Sequence, residues 1–178
     1  MSASVRQYLI GIGASVSMLT AGVMVADREG LVTHTYIDAV DVYSSCYGHT
    51  GPELKLGQTF THEQCLAQLA KDLVKTEQQL NSLTSPIKLT ESERAAYVTF
   101  LYWAGAGNFA TSTLRRKLLA GDHVGACWEL TNACGKHGCN GWSYAGGKQL
   151  PGLVKAREKE RDLCLSELEL PKTDLSGL

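Results

Sequence analysis

Beyond Thr61, apolar side chains recur at helical spacing along most of the chain. Cys65, Leu66, Leu69, Leu73 and Leu80 form one stripe behind Thr61 and Gln64, a capping-box pair in which each side chain satisfies a backbone N–H at the start of the helix. Thr90 and Glu93 repeat the device and open a stretch, Ala96, Val98, Phe100, Leu101 and Tyr102, that is apolar enough to predict a buried central helix. Ser112 caps a helix from Thr113 to Ala120 that Gly121 stops, and Asp122 caps another short one. Pro151 suits the first turn of a last helix, with Lys155, Glu158, Lys159 and Arg161 toward water and Leu153, Val154, Leu163 and Leu165 toward the core. Upstream the pattern changes. His34 to Thr50 is rich in Tyr, Val, Thr and Ser, with Gly48 and Gly51 as breakers, and predicts short strands and turns. A small antiparallel sheet near the N-terminal end followed by helices defines an α+β class, mainly α. Leu83 to Pro86 is a short connection, no linker divides the chain, and the tail after Glu169 is expected to fray.

The first thirty residues form a second pattern. No charged side chain lies between Arg6 and Asp27, and Tyr8 to Ala26 is just long enough to cross a hydrocarbon core at about 1.5 Å per residue. Gly11, Gly13, Ser15, Ser17, Thr20 and Gly22 dilute the run, so it makes a weak span. Arg6 and the amino terminus on one side, against Asp27, Arg28 and Glu29 on the other, leave the N-terminus cytoplasmic and the body outside. A cleaved signal peptide, with Ala21, Gly22 and Ala26 near the cut, and a buried core helix are the alternatives.

Composition narrows the classes. The chain has 178 residues, 44% of them hydrophobic, and a formal net charge of -1, which fits one compact unit with an ordinary core. The near balance of charge leaves no footprint for DNA or RNA, and Arg115-Arg116-Lys117 is too short to supply one. Six cysteines, an even count beside an export-like segment, favour disulfides in an oxidising compartment such as the periplasm, with about fifteen possible pairings. Cys127, Cys134, His137 and Cys139 crowd together, but not at zinc-finger spacing, and no metal or cofactor is expected. Nothing suggests a Cys and a His held together by a third group as a thiol nucleophile, and Gly146-Gly147-Lys148 lacks the layout of a phosphate loop.

The chemistry that remains is carboxylate chemistry. Cleaving a glycosidic bond takes a proton donor for the leaving oxygen and, across the sugar, a nucleophile or a base that activates water. Glu29 stands where an apolar helical stretch ends, a partly desolvated position that favours an acid. Asp38 sits in the polar strand-turn region, and the Ser44 hydroxyl is in range to hold a water beside it. Asp41, Glu53 and Glu63 are also in range, so spacing alone does not single out the pair.

The stretch Glu29-Gly30... Tyr36-Ile37-Asp38... Ser44-Ser45-Cys46-Tyr47-Gly48-His49-Thr50-Gly51 resembles the active-site signature of the phage T4-type lysozymes, glycoside hydrolase family 24. Phe100 to Gly105 and Ser112-Thr113-Leu114 resemble the family's central-helix segment, and Trp142 through Pro151-Gly152-Leu153, Arg157, Glu160 and Cys164 its C-terminal block. The resemblance implies a lysozyme-like fold, a small sheet and a helical lobe around a central helix. It further implies Glu29 as general acid, Asp38 as the carboxylate that positions or activates water, and Ser44 at the family's Thr position. Trp103 replaces the usual Asn, and Ala156 replaces the first of two usual arginines.

Tyr36, Gly48, His49 and Trp103 are the candidate sugar contacts, although His49 is more simply a structural residue held by a nearby carboxylate or backbone group and Trp103 a core residue. Cys46 with Cys65, Cys134 with Cys139 and Cys127 with Cys164 are the preferred disulfides.

The implied activity is hydrolysis of the β-1,4 bond between N-acetylmuramic acid and N-acetylglucosamine in peptidoglycan, with inversion, for host cell lysis. A lytic transglycosylase and a non-catalytic, membrane-anchored murein-binding protein are its rivals. Residues 1–28 resemble a signal-anchor-release segment, ahead of a catalytic domain at 29–170 and a tail at 171–178. No cysteine precedes Cys46, so release implies refolding of the segment rather than disulfide exchange. The expected partners are glycan strands and, before release to the periplasm, the periplasmic face of the inner membrane; the expected state is a monomer.

Overall fold

The computed structural model describes residues 2–38, 41–135, 138–139, 141–145 and 147–168. Two helices lead, α1 (Ser2–Gly11) and α2 (Val16–Glu29). Ser15 caps α2 by accepting the Met18 N–H, and the Ser17 N–H is taken from outside the helix by Glu91 Oε2 at 2.9 Å. The apolar run expected as one span from Tyr8 to Ala26 is therefore broken after Gly11. Among the described residues no helix is long and apolar enough to cross a membrane. The cause lies in the diluting residues: Gly13, at φ +74°, turns the chain, and Ser15 starts a new helix.

The two helices pack on the rest of the chain. Val5 and Leu9 of α1 and Met18, Ala21, Val25 and Ala26 of α2 share one core with Leu69, Leu73, Tyr97, Phe100 and Leu101. A Cβ at Gly22 would press on the Leu9 side chain and stand 3.1 Å from Leu73 Cδ1, so the absence of a side chain there sets how closely α1 and α2 approach their neighbours.

The helical lobe is α3 (His62–Thr84), α4 (Glu91–Ala104), α5 (Ala106–Ala110), α6 (Thr113–Leu119), α7 (His123–Asn132) and α8 (Pro151–Leu165). Both capping boxes form, at Thr61 with Gln64 and at Thr90 with Glu93. The helix expected to be central is α4, which packs against α2, α3 and α8 and buries Ala96, Tyr97, Val98 and Phe100 completely. The sheet is antiparallel in the order β1 (Val32–Ile37), β2 (Tyr43–Cys46), β3 (His49–Thr50). Two small hairpins depart from the expectation of helix throughout the second half: β4 (Cys134–Gly135) with β5 (Gly138–Cys139), and β6 (Tyr144–Ala145) with β7 (Lys148–Gln149).

Disulfides pin these parts together. Cys46–Cys65 joins β2 to α3, Cys127–Cys164 joins α7 to α8, and Cys134–Cys139 closes the β4–β5 hairpin. These bridges consume every thiol of the cluster weighed as a zinc site. His137, Gly146 and the tail from 169 lie outside the described residues. In α8 two further charges outside the expected aqueous face, Arg157 and Glu160, are buried, each 1% exposed.

Candidate active site

Asp38 leaves β1, and its own backbone and side chain make the turn that follows. Its N–H donates to the Val42 carbonyl, and its Oδ1 accepts the Val42 N–H at 3.0 Å. Its other oxygen, Oδ2, accepts a 3.3 Å hydrogen bond from Ser44 Oγ. The antiparallel register carries this geometry: Ser44 on β2 pairs with Tyr36 on β1, and side chains two apart on β1 share a face, so Tyr36, Asp38 and Ser44 converge. Ser44 is buried and its hydroxyl is committed to Asp38.

Glu29 approaches from the C-terminal end of α2, where Gly30 at φ +71° ends the helix and turns the chain into β1. Its side chain is 27% exposed. Arg28 Nε and Nη2 both donate to Oε1, at 3.0 and 2.8 Å, while a Cβ at Gly48 would lie 3.0 Å from Oε2. Tyr36 feels both carboxyl groups. Its hydroxyl is pushed above its ordinary range by burial first, then by the charges of Glu29 and of Asp38, with a hydrogen bond to Ser44 pulling the other way. One phenol thus senses Glu29, Asp38 and Ser44 together.

The other candidates fall into two groups. Gly48 is at the site, and its missing side chain makes room for Glu29. His49 has both ring nitrogens engaged, Nδ1 with Asp72 Oδ2 at 2.7 Å and Nε2 with Glu53 Oε1 at 2.8 Å, so it straps β3 to α3 rather than offering a nitrogen to a sugar. Burial pulls the His49 imidazole down, but the hydrogen bonds and charges of Asp72 and Glu53 outweigh it and raise it. Trp103 is half-buried, with Arg157 4.8 Å and Arg28 5.8 Å from its ring centre. It also borders a groove of about 500 Å³ lined by Arg28, Glu29, Leu150, Pro151 and Leu153.

Four residues around the site were not singled out from the sequence. Tyr102 donates to the Tyr47 carbonyl at 2.9 Å and, buried close to Asp72, Glu29 and Tyr36, is held well above its ordinary range, chiefly by burial. Arg28, Arg157 and Glu160 form a buried charge cluster behind Glu29. The adjacency of Arg28 to Glu29 and the i, i+3 spacing of Arg157 and Glu160 were the available signals.

The phage lysozyme family profile matches residues 26–160, from the last turn of α2 into α8 and across every residue of the site. The chain belongs to the phage lysozyme family. It is accordingly a glycoside hydrolase of the lysozyme type, acting on peptidoglycan. Among its relatives, the SAR-endolysin of bacteriophage PS119 is 44% identical over 137 residues, 77% of this chain and 76% of its own. That of bacteriophage PS34 is 38% identical over 171 residues, 93% of this chain and 96% of its own. Among solved structures, the active form of the P1 phage endolysin Lyz superposes with a TM-score of 0.78 over 96% of this chain and 97% of that one, at 21% identity. In this phage lysozyme the two carboxyl groups keep different company, one gripped by a guanidinium at a helix end, the other by a backbone N–H and a hydroxyl.

Proposed function

We propose that Glu29 protonates the glycosidic oxygen and that Asp38, with Ser44, holds and activates the attacking water, cutting the β-1,4 bond between N-acetylmuramic acid and N-acetylglucosamine. The observation that carries this assignment is the convergence of Glu29, Asp38 and Ser44 on Tyr36. Glu29 Oε2, the oxygen Arg28 leaves free, is the one that carries the proton. Asp38 keeps its orientation because Oδ1 accepts the Val42 N–H and Oδ2 the Ser44 hydroxyl of β2. A water accepted there attacks from the opposite side of the sugar, which gives inversion when the carboxyl groups stand about 6.5 to 9.5 Å apart.

Residues 1–28 serve as a transient inner-membrane anchor in this reading, and the α1–α2 hairpin is their form after release to the periplasm. Three things support it: the uncharged run between Arg6 and Asp27, relatives named SAR-endolysin, and a fold shared along nearly its whole length with an endolysin solved in its active form. The released enzyme works as a monomer.

The test is Glu29→Gln. A folded protein with the wild-type melting temperature that no longer clears a cell-wall suspension is the expected result, and full clearing refutes the assignment. Mass analysis of wild-type digests should show reducing ends; anhydro-sugar ends would establish a lytic transglycosylase, and binding without cleavage a murein-binding protein.

A further inference from the structure

We infer that Arg28 is a positioning residue for Glu29, with Glu160 of α8 as the counter-charge behind it. The inference rests on the assignment of Glu29 as the acid. Arg28 forks onto Glu29 Oε1 through Nε and Nη2, and its remaining nitrogen, Nη1, lies 3.6 Å from Glu160 Oε1. That same Glu160 oxygen accepts Arg157 Nη2 at 2.7 Å. One guanidinium therefore spans from the acid on α2 to a buried counter-charge on α8.

Packing does not fix the direction of Arg28. Beside it Met24, Thr99, Gly152, Ala156 and Glu160 line a half-open cavity of about 170 Å³, so the guanidinium has room to swing. Its nearest constraints are electrostatic and aromatic: the carboxyl groups of Glu29 and Glu160, and the Trp103 ring, whose centre lies 5.8 Å away. Glu160 cannot drift, because it is buried and paired with Arg157, and Arg157 is itself packed against Phe100 and Trp103 at 4.9 and 4.8 Å. Moving either buried charge away from its partner is strongly unfavourable. The rigid end of the chain of contacts is thus Glu160 on α8, and the adjustable end is the Glu29 carboxyl group.

A planar fork on Oε1 leaves that oxygen little freedom and leaves Oε2 close to Gly48.

The experiment uses the full chain with Arg28→Lys, Arg28→Met, Glu160→Gln and the Arg28→Met/Glu160→Gln double variant, measuring kcat and KM on soluble glycan strands together with melting temperature. Arg28→Met should lower kcat tenfold or more with KM within twofold of wild type. Arg28→Lys, which keeps the charge but not the fork, should recover part of the loss. Glu160→Gln should lower kcat by a smaller factor, and the double variant should be no slower than Arg28→Met alone, since Glu160 acts through Arg28. Should Glu160→Gln fail to fold with Arg157 left unpaired, an Arg157→Met/Glu160→Leu replacement removes the pair together and is held to the same expectation. Unchanged kcat in Arg28→Met, or losses that multiply in the double variant, overturn the inference. Glu29→Gln run in parallel separates the two claims: inactive Glu29→Gln beside fully active Arg28→Met sinks the positioning role alone, whereas active Glu29→Gln sinks both.

Discussion

Gly48 holds the turn between β2 and β3 at φ +76°, and a Cβ built on it would lie 3.0 Å from Oε2, 3.1 Å from Cγ and 3.2 Å from Cδ of Glu29. Ordinary non-bonded carbon contacts begin near ~3.5 Å, so the Glu29 side chain must retreat by about half an ångström to admit a methyl group. Retreat is resisted, because Oε1 is fixed by two hydrogen bonds from Arg28. Gly48→Ala therefore costs twice: about 1–2 kcal/mol for an alanine in the left-handed region and about 0.5–1.5 kcal/mol for forcing a side chain off its rotamer. A total of about 1.5–3.5 kcal/mol lowers the melting temperature by roughly 3–14 °C and leaves the protein folded. Catalysis suffers separately. Displacing a reacting group by about 1 Å costs on the order of a hundredfold, so a shift of half that size should slow wall clearing by roughly tenfold. Gly57→Ala is the matched control, since Gly57 has φ +87° with nothing within 4 Å of its Cβ position: it should lose comparable backbone stability and keep its activity. The assay is the initial rate of clearing of a cell-wall suspension at a temperature where both variants are folded by circular dichroism. Gly48→Ala within twofold of wild type, or equal loss of rate in both variants, refutes the close approach of Gly48 to the acid.

Two further outcomes follow from the packing. The Cys127–Cys164 bridge closes a 37-residue separation between α7 and α8, and losing a loop of that size from the unfolded-state constraint costs about 4 kcal/mol, so Cys127→Ser/Cys164→Ser should melt roughly 10 °C lower, as read by calorimetry. Burial pushes Glu160 up to about 7 against the pull of Arg157 and Arg28, so the folded protein retains a proton that the unfolded chain has released; stability should fall as pH rises from about 4.3 to about 7 and level off above, and melts that keep the same slope over that window in Glu160→Gln would refute the buried-acid account.

The sequence was legible where local chemistry decided the outcome. The caps at Thr61 and Thr90 have partners three residues away, so α3 and α4 could be placed from spacing alone. Asp38 and Tyr36 share a strand face by period two, and a turn of ordinary length brings Ser44 across to them. Arg157 and Glu160 were hidden for the opposite reason. On a helix rich in Lys, Glu and Arg, two more charges resemble a solvated face, and only the arrival of α2 and α4 from far away in sequence shows that these two neutralise each other in the core. The β4–β7 hairpins escaped because strands of two residues carry no period to detect.

The N-terminal segment shows why hydropathy alone leaves two environments open. Its glycines and serines weaken it as a membrane span, because each replaces an apolar side chain that would favour lipid. In the folded chain the same positions become useful: Gly22 lets Leu9 and Leu73 close over the helix, Ser15 caps α2, and the Ser17 N–H finds Glu91. A Leu-rich segment would favour the bilayer and overfill this site. The small residues that cost the stretch lipid affinity thus supply its fit to protein. Since Glu29 is the last residue of α2, the seat of that helix on the protein also determines where the Glu29 carboxyl group stands.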